Sequence, residues 1–423
     1  MRVEAGGYSN LVLDAELKKH PLPPEEAAFA SALFYSVLEH QTTLDHILNR
    51  FLKKPVARLD PPVRAILRCG LAQLRWLRTP PSAAVNEAVK LTRAFGKSSA
   101  SGLVNAVLRR ASTYDLSTSR FSDETERLMV LGSVSRDVAA HFARWYPADA
   151  EAILTCTAQT RATAIRVNPL RTTPGALAER LLAEGAKQAE RCNIPNCLLV
   201  TFTGSPATLP AFRAGLYHVE GRTSQLAALA LGARPGDTVL DLCAAPGGKS
   251  LTIAQEMQNS GRLISCDVSP NRVSLIEKTL AHGGITCARA LCNDASVYNE
   301  ALAGANRVLA DVPCSGLGIL QKKPDIRYKD LSELPQLVKL QRRILENAAK
   351  CLQTGGRLVY STCTLNPDEN ERQIEGFLAS HPEFAVTPLE NLPQPLENGP
   401  FGVCSLPHKT GMDGFFICAM EKR

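Results

Sequence analysis

Two cysteines close apolar, strand-like runs: Cys314 in DVPCSG and Cys363 in STCT. A thiolate at the end of a strand is a nucleophile on a rigid support, and a second thiol beside it needs a task of its own. The two short runs do not say which cysteine attacks. Each by itself reads as a packed strand-end cysteine, so the motifs around them must decide.

A third motif, DLCAAPGGKS at 241–250, follows an apolar run and opens a helical one, where an open parallel sheet takes up nucleotides. Its ending invites a phosphate-cradling loop, but GxxxxGK[ST] needs glycine at the position of Cys243. A side chain there removes a backbone conformation that such a nest uses. The loop of Cys243, Ala244, Ala245, Pro246, Gly247, Gly248 and Lys249 therefore suits an adenosine with an amino-acid tail, and a P-loop ATPase is the rival. Asp267, closing the next strand in RLISCDVS, is placed to accept both ribose hydroxyls, which fits NAD, FAD or S-adenosylmethionine. It also stands where it can cap the helix starting near Pro270. Asp294, closing the third strand, can reach an adenine edge or serve only its own loop.

These residues need a sheet to hold them. Strand patterns at DTVLDLCAA, RLISCDVS, CARALCND, NRVLADVPC and GRLVYSTCT alternate with helical stretches such as KSLTIAQEMQ and LPQLVKLQRRILENAAKCLQ. That rhythm predicts a doubly wound parallel sheet, with the tail FGVCSLPHKTGMDGFFICAMEKR adding antiparallel strands at one edge. Upstream, residues 161–217 read as a small α/β module. From Tyr8 to about Ala111 apolar residues recur at helical spacing, broken at HPLPP, KKPVARLDPP and RTPPS, where proline ends one helix and opens the next.

Composition bounds the partners. The 423 residues suffice for two or three domains, and the first twenty lack a signal-peptide layout, so a soluble, cytoplasmic chain is expected. Thirteen cysteines without CxxC pairs exclude a disulfide framework and a four-thiolate zinc site. Cys69, Cys156, Cys266 and Cys351 are expected to be small core residues. The net charge of +7 lies ahead of residue 221, because residues 221–423 balance. A basic front half suits a polyanion held by one part and processed by another.

Taken in order, DLCAAPGGKS, CDVSPNR, DVPCSGLGIL…PDIRY, STCTLNPDENE and GMDGFFIC resemble the RNA cytosine-5 methyltransferases of the Fmu/Sun type. AAVNEAVKL and LVNAVLRRA resemble the NusB-like RNA-binding domain fused to bacterial members acting on 16S rRNA. The resemblance implies three parts: a NusB-like all-α domain at 1–140, a linker helix and small α/β RNA-binding module at 141–217, and a Rossmann-like class I methyltransferase domain at 218–423. It implies S-adenosylmethionine as cofactor, no metal, and 16S rRNA as partner, naked or in an early small-subunit assembly intermediate, met by a monomer.

Carbon 5 of cytosine is a poor nucleophile until a thiolate adds to carbon 6, and cysteine both attacks and leaves well. Cys314, after proline, resembles the nucleophile of the DNA cytosine-5 methyltransferases, but the resemblance to the RNA family implies attack by Cys363, with Cys314 assisting breakdown of the adduct and product release. Asp311, at the carboxyl end of the fourth strand, would hold the cytosine edge and help confine the cofactor, with Lys249 as its ion partner. Asp325 and Arg327 fall on what reads as a substrate-side loop, or form a local ion pair. His408 and Asp413 match the final motif. One departure stands out: Glu220 and Gly221 occupy the places of the family's glutamine and acidic residue, with Arg222 next. A catalytically inactive RNA-binding assembly factor is the remaining alternative; intact Cys314, Cys363, Asp311 and glycine loop speak against it.

Overall fold

The computed structural model describes residues 3, 9–156, 162–389, 392 and 396–423. Part of the signal-peptide reading falls on residues 1–2 and 4–8, outside the described residues, as does Tyr8, where the helical pattern starts. The chain forms two compact units, Met1–Thr157 with Leu320–Leu331, and Ala158–Ile319 with Ser332–Arg423.

The first unit is helical. Pro24, Pro61 and Pro81 each open a helix (Pro24–Glu39, Pro61–Arg75 and Pro81–Ala94), where the missing N–H costs nothing. Leu44, Leu48, Leu67, Leu71, Val104 and Leu108 share one core at three- and four-residue spacing. The segment Leu320–Leu331, which includes the short 3-10 helix Pro324–Tyr328, comes from far along the chain. Asp325 accepts from the Ser9 N–H at 3.3 Å and its hydroxyl at 2.6 Å. Arg327, buried, donates to the Gly132 carbonyl at 2.6 Å, and Tyr328 donates to Leu38 O at 2.6 Å. The reading of this stretch as a substrate-side loop or a local ion pair is therefore corrected, because both side chains are used to tie it into the helical unit.

The second unit holds two sheets. Strands β1 (Thr163–Val167), β2 (Gln188–Arg191), β3 (Cys197–Thr201) and β4 (Tyr217–Val219) pair antiparallel in the order β2-β3-β1-β4. Helix Pro174–Ala183 covers them through Leu177 and Leu181. The larger sheet contains β5 (Thr238–Asp241), β6 (Arg262–Asp267), β7 (Ala288–Cys292), β8 (Ala305–Asp311), β9 (Leu352–Thr362), β10 (Phe384–Val386), β11 (Glu397–Gly399), β12 (Gly402–Ser405) and β13 (Phe415–Lys422). Its order is β11-β12-β13-β9-β8-β5-β6-β7, with β10 beside β13.

Only β9-β8-β5-β6-β7 run parallel; β13 pairs antiparallel with β9 along Phe416–Glu421, so the sheet is mixed. Side-chain alternation splits its core into two layers. Val239, Leu263, Leu309 and Val359 pack against helices Arg222–Ala230, Gly248–Glu256 and Pro270–Gly283. Their neighbours Leu240, Ile264, Val308 and Leu358 pack against Leu334–Cys351 and Glu371–Ser380. Strict alternation fails once, between β7 and β8, where only the short turn Glu300–Leu302 appears. The side chains of Asp294 and Asn299 there accept from the N–H of Ser296 and Ala301, which favours turns over helix.

Candidate active site

The chain runs β5, β6, β7 outward on one side and β8, β9 on the other, so the switch point lies between β5 and β8. Loops at the carboxyl ends of those strands diverge and leave a crevice. Lys249 and Asp311 meet there, Nζ to Oδ2 at 2.7 Å, while Asp311 Oδ1 accepts from the Ser361 hydroxyl at 2.7 Å. Burial works against the Lys249 charge, but Asp311, Glu220 and Asp241 outweigh it and raise its pKa. The ammonium also lies 5.6 Å from the Phe415 ring centre.

The glycine loop is shaped from both sides. Gly247 has φ of +107°, and a Cβ there would come within 3.2 Å of the Ile276 backbone, so no other residue fits without strain. Asp241 ends β5 fully buried and accepts from Ser250 at 2.7 Å; burial pushes its pKa up to about 7. Spacing alone did not single out Asp241, although its place as the last strand residue before the loop was a usable signal. Cys243 turns its side chain into the layer around Leu240 and Leu345, and burial raises its thiol pKa well above the usual value. It contributes backbone, not a reactive thiol, to this crevice.

The side chains expected around an adenosine differ among themselves. Asp267 is buried; Oδ1 accepts from the Ser269 N–H at 3.0 Å and Oδ2 lies 3.4 Å from Arg272. It thus serves the turn before helix Pro270–Gly283, while its second oxygen stays near the crevice rim. Asp294 is exposed and accepts from the Ser296 N–H at 2.9 Å. Beside them Val268 and Val297 are 61% and 62% exposed, apolar walls that a motif search overlooks because valine is ordinary in a strand end.

The departure at Glu220 has a structural content. Its Oε2 accepts from Thr252 at 2.6 Å and lies 3.2 Å from His218 Nε2, and Oε1 is 3.3 Å from where a Gly248 Cβ would stand. Burial opposes its charge, yet His218, Lys249 and Thr252 hold its pKa below the ordinary carboxylate value. Arg222 donates to the Gly411 carbonyl. In the final motif, Gly414 N donates to Gly318 O at 2.7 Å and Gly318 N to Cys363 O at 3.1 Å. A Cβ on Gly318 would meet Gly414 O at 2.0 Å, so GMDG braces the Cys363 strand end by backbone contact.

Cys314 and Cys363 come together, Sγ to Sγ at 3.2 Å. The bond to Cys363, burial, and the charges of Glu369 and Asp311 raise the Cys314 pKa well above the usual thiol value. The other cysteines are also free thiols; Cys266 and Cys351 are buried as expected, whereas Cys69 and Cys156 are only partly so. Among the described residues no group of His, Cys, Asp and Glu is placed to hold a metal, and no helix is long and apolar enough to cross a membrane.

Residues 228–421 match the model of the 16S rRNA methyltransferase RsmB/F family, and residues 2–113 match the NusB family. A curated Synechocystis protein, "Probable ribosomal RNA small subunit methyltransferase B", is 34% identical over 98% of this chain and 95% of its own. This chain belongs to that family of rRNA methyltransferases. A Bacillus subtilis relative of the same name is 33% identical over 98% and 95%. Among solved structures, a methyltransferase homolog protein from Pyrococcus horikoshii aligns with a TM-score of 0.62 and 27% identity, over 72% of this chain and 100% of that one. The methyl donor of the family is S-adenosylmethionine. The residues at these strand ends fit it: a glycine loop with Cys243 where a P-loop needs glycine, the Asp267 carboxylate, and the exposed apolar Val268 and Val297.

Proposed function

We propose that this methyltransferase modifies carbon 5 of a cytosine in 16S rRNA through a covalent bond between Cys363 Sγ and carbon 6. The observation that carries the reading is the 3.2 Å pair of cysteines at the ends of neighbouring strands, where the contact with Cys363 and burial push the Cys314 thiol pKa up. A Cys314 S–H turned toward Cys363 leaves Cys363 as the attacking sulfur in this reading.

Attack by that thiolate moves the carbon 5–carbon 6 electron pair toward carbon 5 and makes it nucleophilic. S-adenosylmethionine, when bound, supplies an electrophilic methyl group to carbon 5; the glycine loop, Asp267 and Asp294 would hold it. A base removes the carbon 5 proton, the ring double bond re-forms, and the carbon–sulfur bond breaks with its electrons returning to Cys363. The Cys314 S–H, already aimed at that sulfur, stabilises the departing thiolate. Asp311 would accept from the cytosine amino group, held in place by Lys249 at 2.7 Å. The target base must leave its stack to reach Cys363.

Denaturing gels with labelled RNA and cofactor test the roles. Cys363→Ala is expected to abolish transfer, by about 10³-fold or more, and to form no adduct. Cys314→Ala is expected to transfer methyl once and to accumulate a denaturation-resistant protein–RNA complex. The reverse pattern makes Cys314 the nucleophile. Mapping of 5-methylcytosine in 16S rRNA with and without the enzyme tests the product.

The helical unit supplies RNA affinity in this reading, through exposed cations such as Lys53, Lys54 and Arg109. Removing residues 1–140 would strip Arg327 of its Gly132 partner, so point changes are the cleaner test. Triple reversal to glutamate should weaken RNA binding and flatten its salt dependence by about 0.7–0.9 per lost phosphate contact. An unchanged slope refutes this role.

A further inference from the structure

Behind the two cysteines lies a carboxylate with no cationic partner within its hydrogen-bond set. Glu369 is fully buried, and its oxygens accept from four donors. Oε1 takes the Ser315 N–H at 2.8 Å and Gln341 Nε2 at 2.8 Å; Oε2 takes the Ser315 hydroxyl and Asn366 Nδ2 at 3.0 Å. Ser315 follows Cys314, and its Oγ lies 2.6 Å from Oγ1 of Thr364, which follows Cys363. Gln341 also donates to Pro313 O at 2.8 Å, so both neighbours of Cys314 are held. Asn370, next to Glu369, receives the Thr362 hydroxyl and donates to Thr364 O at 3.0 Å, which holds both neighbours of Cys363. The Glu369 carbonyl in turn accepts from Tyr360 at 2.7 Å, anchoring the bracket to β9.

We infer that Glu369 is a positioning residue that joins the loops after β8 and β9 and sets the spacing of the two cysteine sulfurs. A buried carboxylate without a counter-charge is expensive, so its retention requires every oxygen lone pair to meet a donor, and here four donors converge. An amide of the same shape cannot do this. The glutamine NH₂ would face either the Ser315 N–H or the Asn366 NH₂, donor against donor. The carboxylate is fully buried and acts through Ser315 and Thr364, so its effect reaches the reaction as the position of Cys314. This inference rests on the proposed division of labour between the cysteines.

The test compares Glu369→Gln, Ser315→Ala and Cys314→Ala in the same denaturing gels, with steady-state kinetics and calorimetry for S-adenosylmethionine. Glu369→Gln should lower kcat about tenfold. It should leave KM for RNA and cofactor affinity within about threefold, and accumulate the denaturation-resistant complex because Cys314 is displaced from the departing sulfur. Ser315→Ala, which keeps the N–H bond and loses the Thr364 link, should trap less and slow turnover about threefold. Should Glu369→Gln fail to fold by circular dichroism, Ser315→Ala decides alone. Normal turnover without trapping in the folded variant overturns the inference. If Cys314→Ala traps and Glu369→Gln and Ser315→Ala do not, the bracket is wrong and the cysteine roles stand. If Cys314→Ala itself fails to trap, the division of labour is wrong, and the inference falls with it.

Discussion

The two halves of the crevice hang from one sheet and are finished differently. In the loops after β8 and β9, Ser315, Thr364, Asn366, Glu369 and Asn370 are buried and bonded to one another. In the loops after β6 and β7, Val268 and Val297 are more than half exposed, and Asp294 bonds only within its own turn among the contacts seen. A half whose polar groups already have partners holds its geometry before a ligand arrives, which is what covalent attack at a fixed atom requires. A half with bare apolar and acidic groups gains its partners by binding. In the proposed mechanism the groups are thus fixed by the fold where bonds would form and break, and left open where the cofactor would enter and depart.

Lys249 and Asp311 sit at the seam, and after loss of Cys363 itself the largest effect should come from separating them. Lys249→Met removes the ammonium but keeps the length of the side chain. It should cut methyl transfer about 10²-fold, because Asp311 loses the ion partner that orients it toward the base in the proposed mechanism. Cofactor affinity should change by less than about fivefold if the pair belongs to the bonded half. Single-turnover rates and calorimetry measure the two quantities, and losses of equal size would assign the pair to the open half instead.

The bonded half was the harder to read in the sequence. The parallel strands show as apolar runs ending in Asp241, Asp267, Asp311 and Thr362, and the cysteine positions follow from strand ends alone. Glu369 does not, because NPDENE looks like a solvated acidic loop; its burial depends on Ser315, 54 residues earlier. Arg327 misled for the same reason. A charged residue in KKPDIRY reads as exposed, and its partner Gly132 is 195 positions away. Local pattern reports which face a residue takes, whereas satisfaction of a buried charge is decided by contacts between distant segments. The connection from β7 to β8 shows the converse: Asn293, Asp294, Ser296 and Asn299 write a turn plainly, and the expected alternation of strand and helix obscured it.

Asp241, which ends β5 between the two halves, offers a pH test. Burial raises its pKa in the fold to about 7, well above the ordinary carboxylate value of 3.8. A carboxyl held protonated by burial contributes its full stability below the unfolded value and loses it as pH rises through 7. Asp241→Asn keeps an acceptor for Ser250 and has no proton to lose. Its stability relative to the parent should therefore rise between pH 4.5 and pH 8, by on the order of 2 kcal/mol. Denaturant unfolding at both pH values measures the difference; a difference independent of pH would show that Asp241 is not kept neutral by its surroundings.

The smallest effects should divide the open half itself. Asp267 is buried, with Oδ1 committed to the Ser269 N–H and Oδ2 only 3.4 Å from a half-exposed Arg272 that solvent can draw away. A ribose hydroxyl can replace that weak ion contact with a short charge-assisted hydrogen bond. Asp267→Asn keeps the turn through its amide oxygen but loses the charge. It should weaken S-adenosylmethionine by about tenfold, the worth of one such bond. Asp294 stands exposed with Oδ1 already turned to Ser296, so water competes for whatever its carboxylate offers an adenine. Asp294→Ala should cost about threefold or less in affinity. Calorimetry on the two variants separates them: if Asp294→Ala costs as much as Asp267→Asn, the loop after β7 closes on the cofactor and the open half is completed by a movement absent from the ligand-free fold.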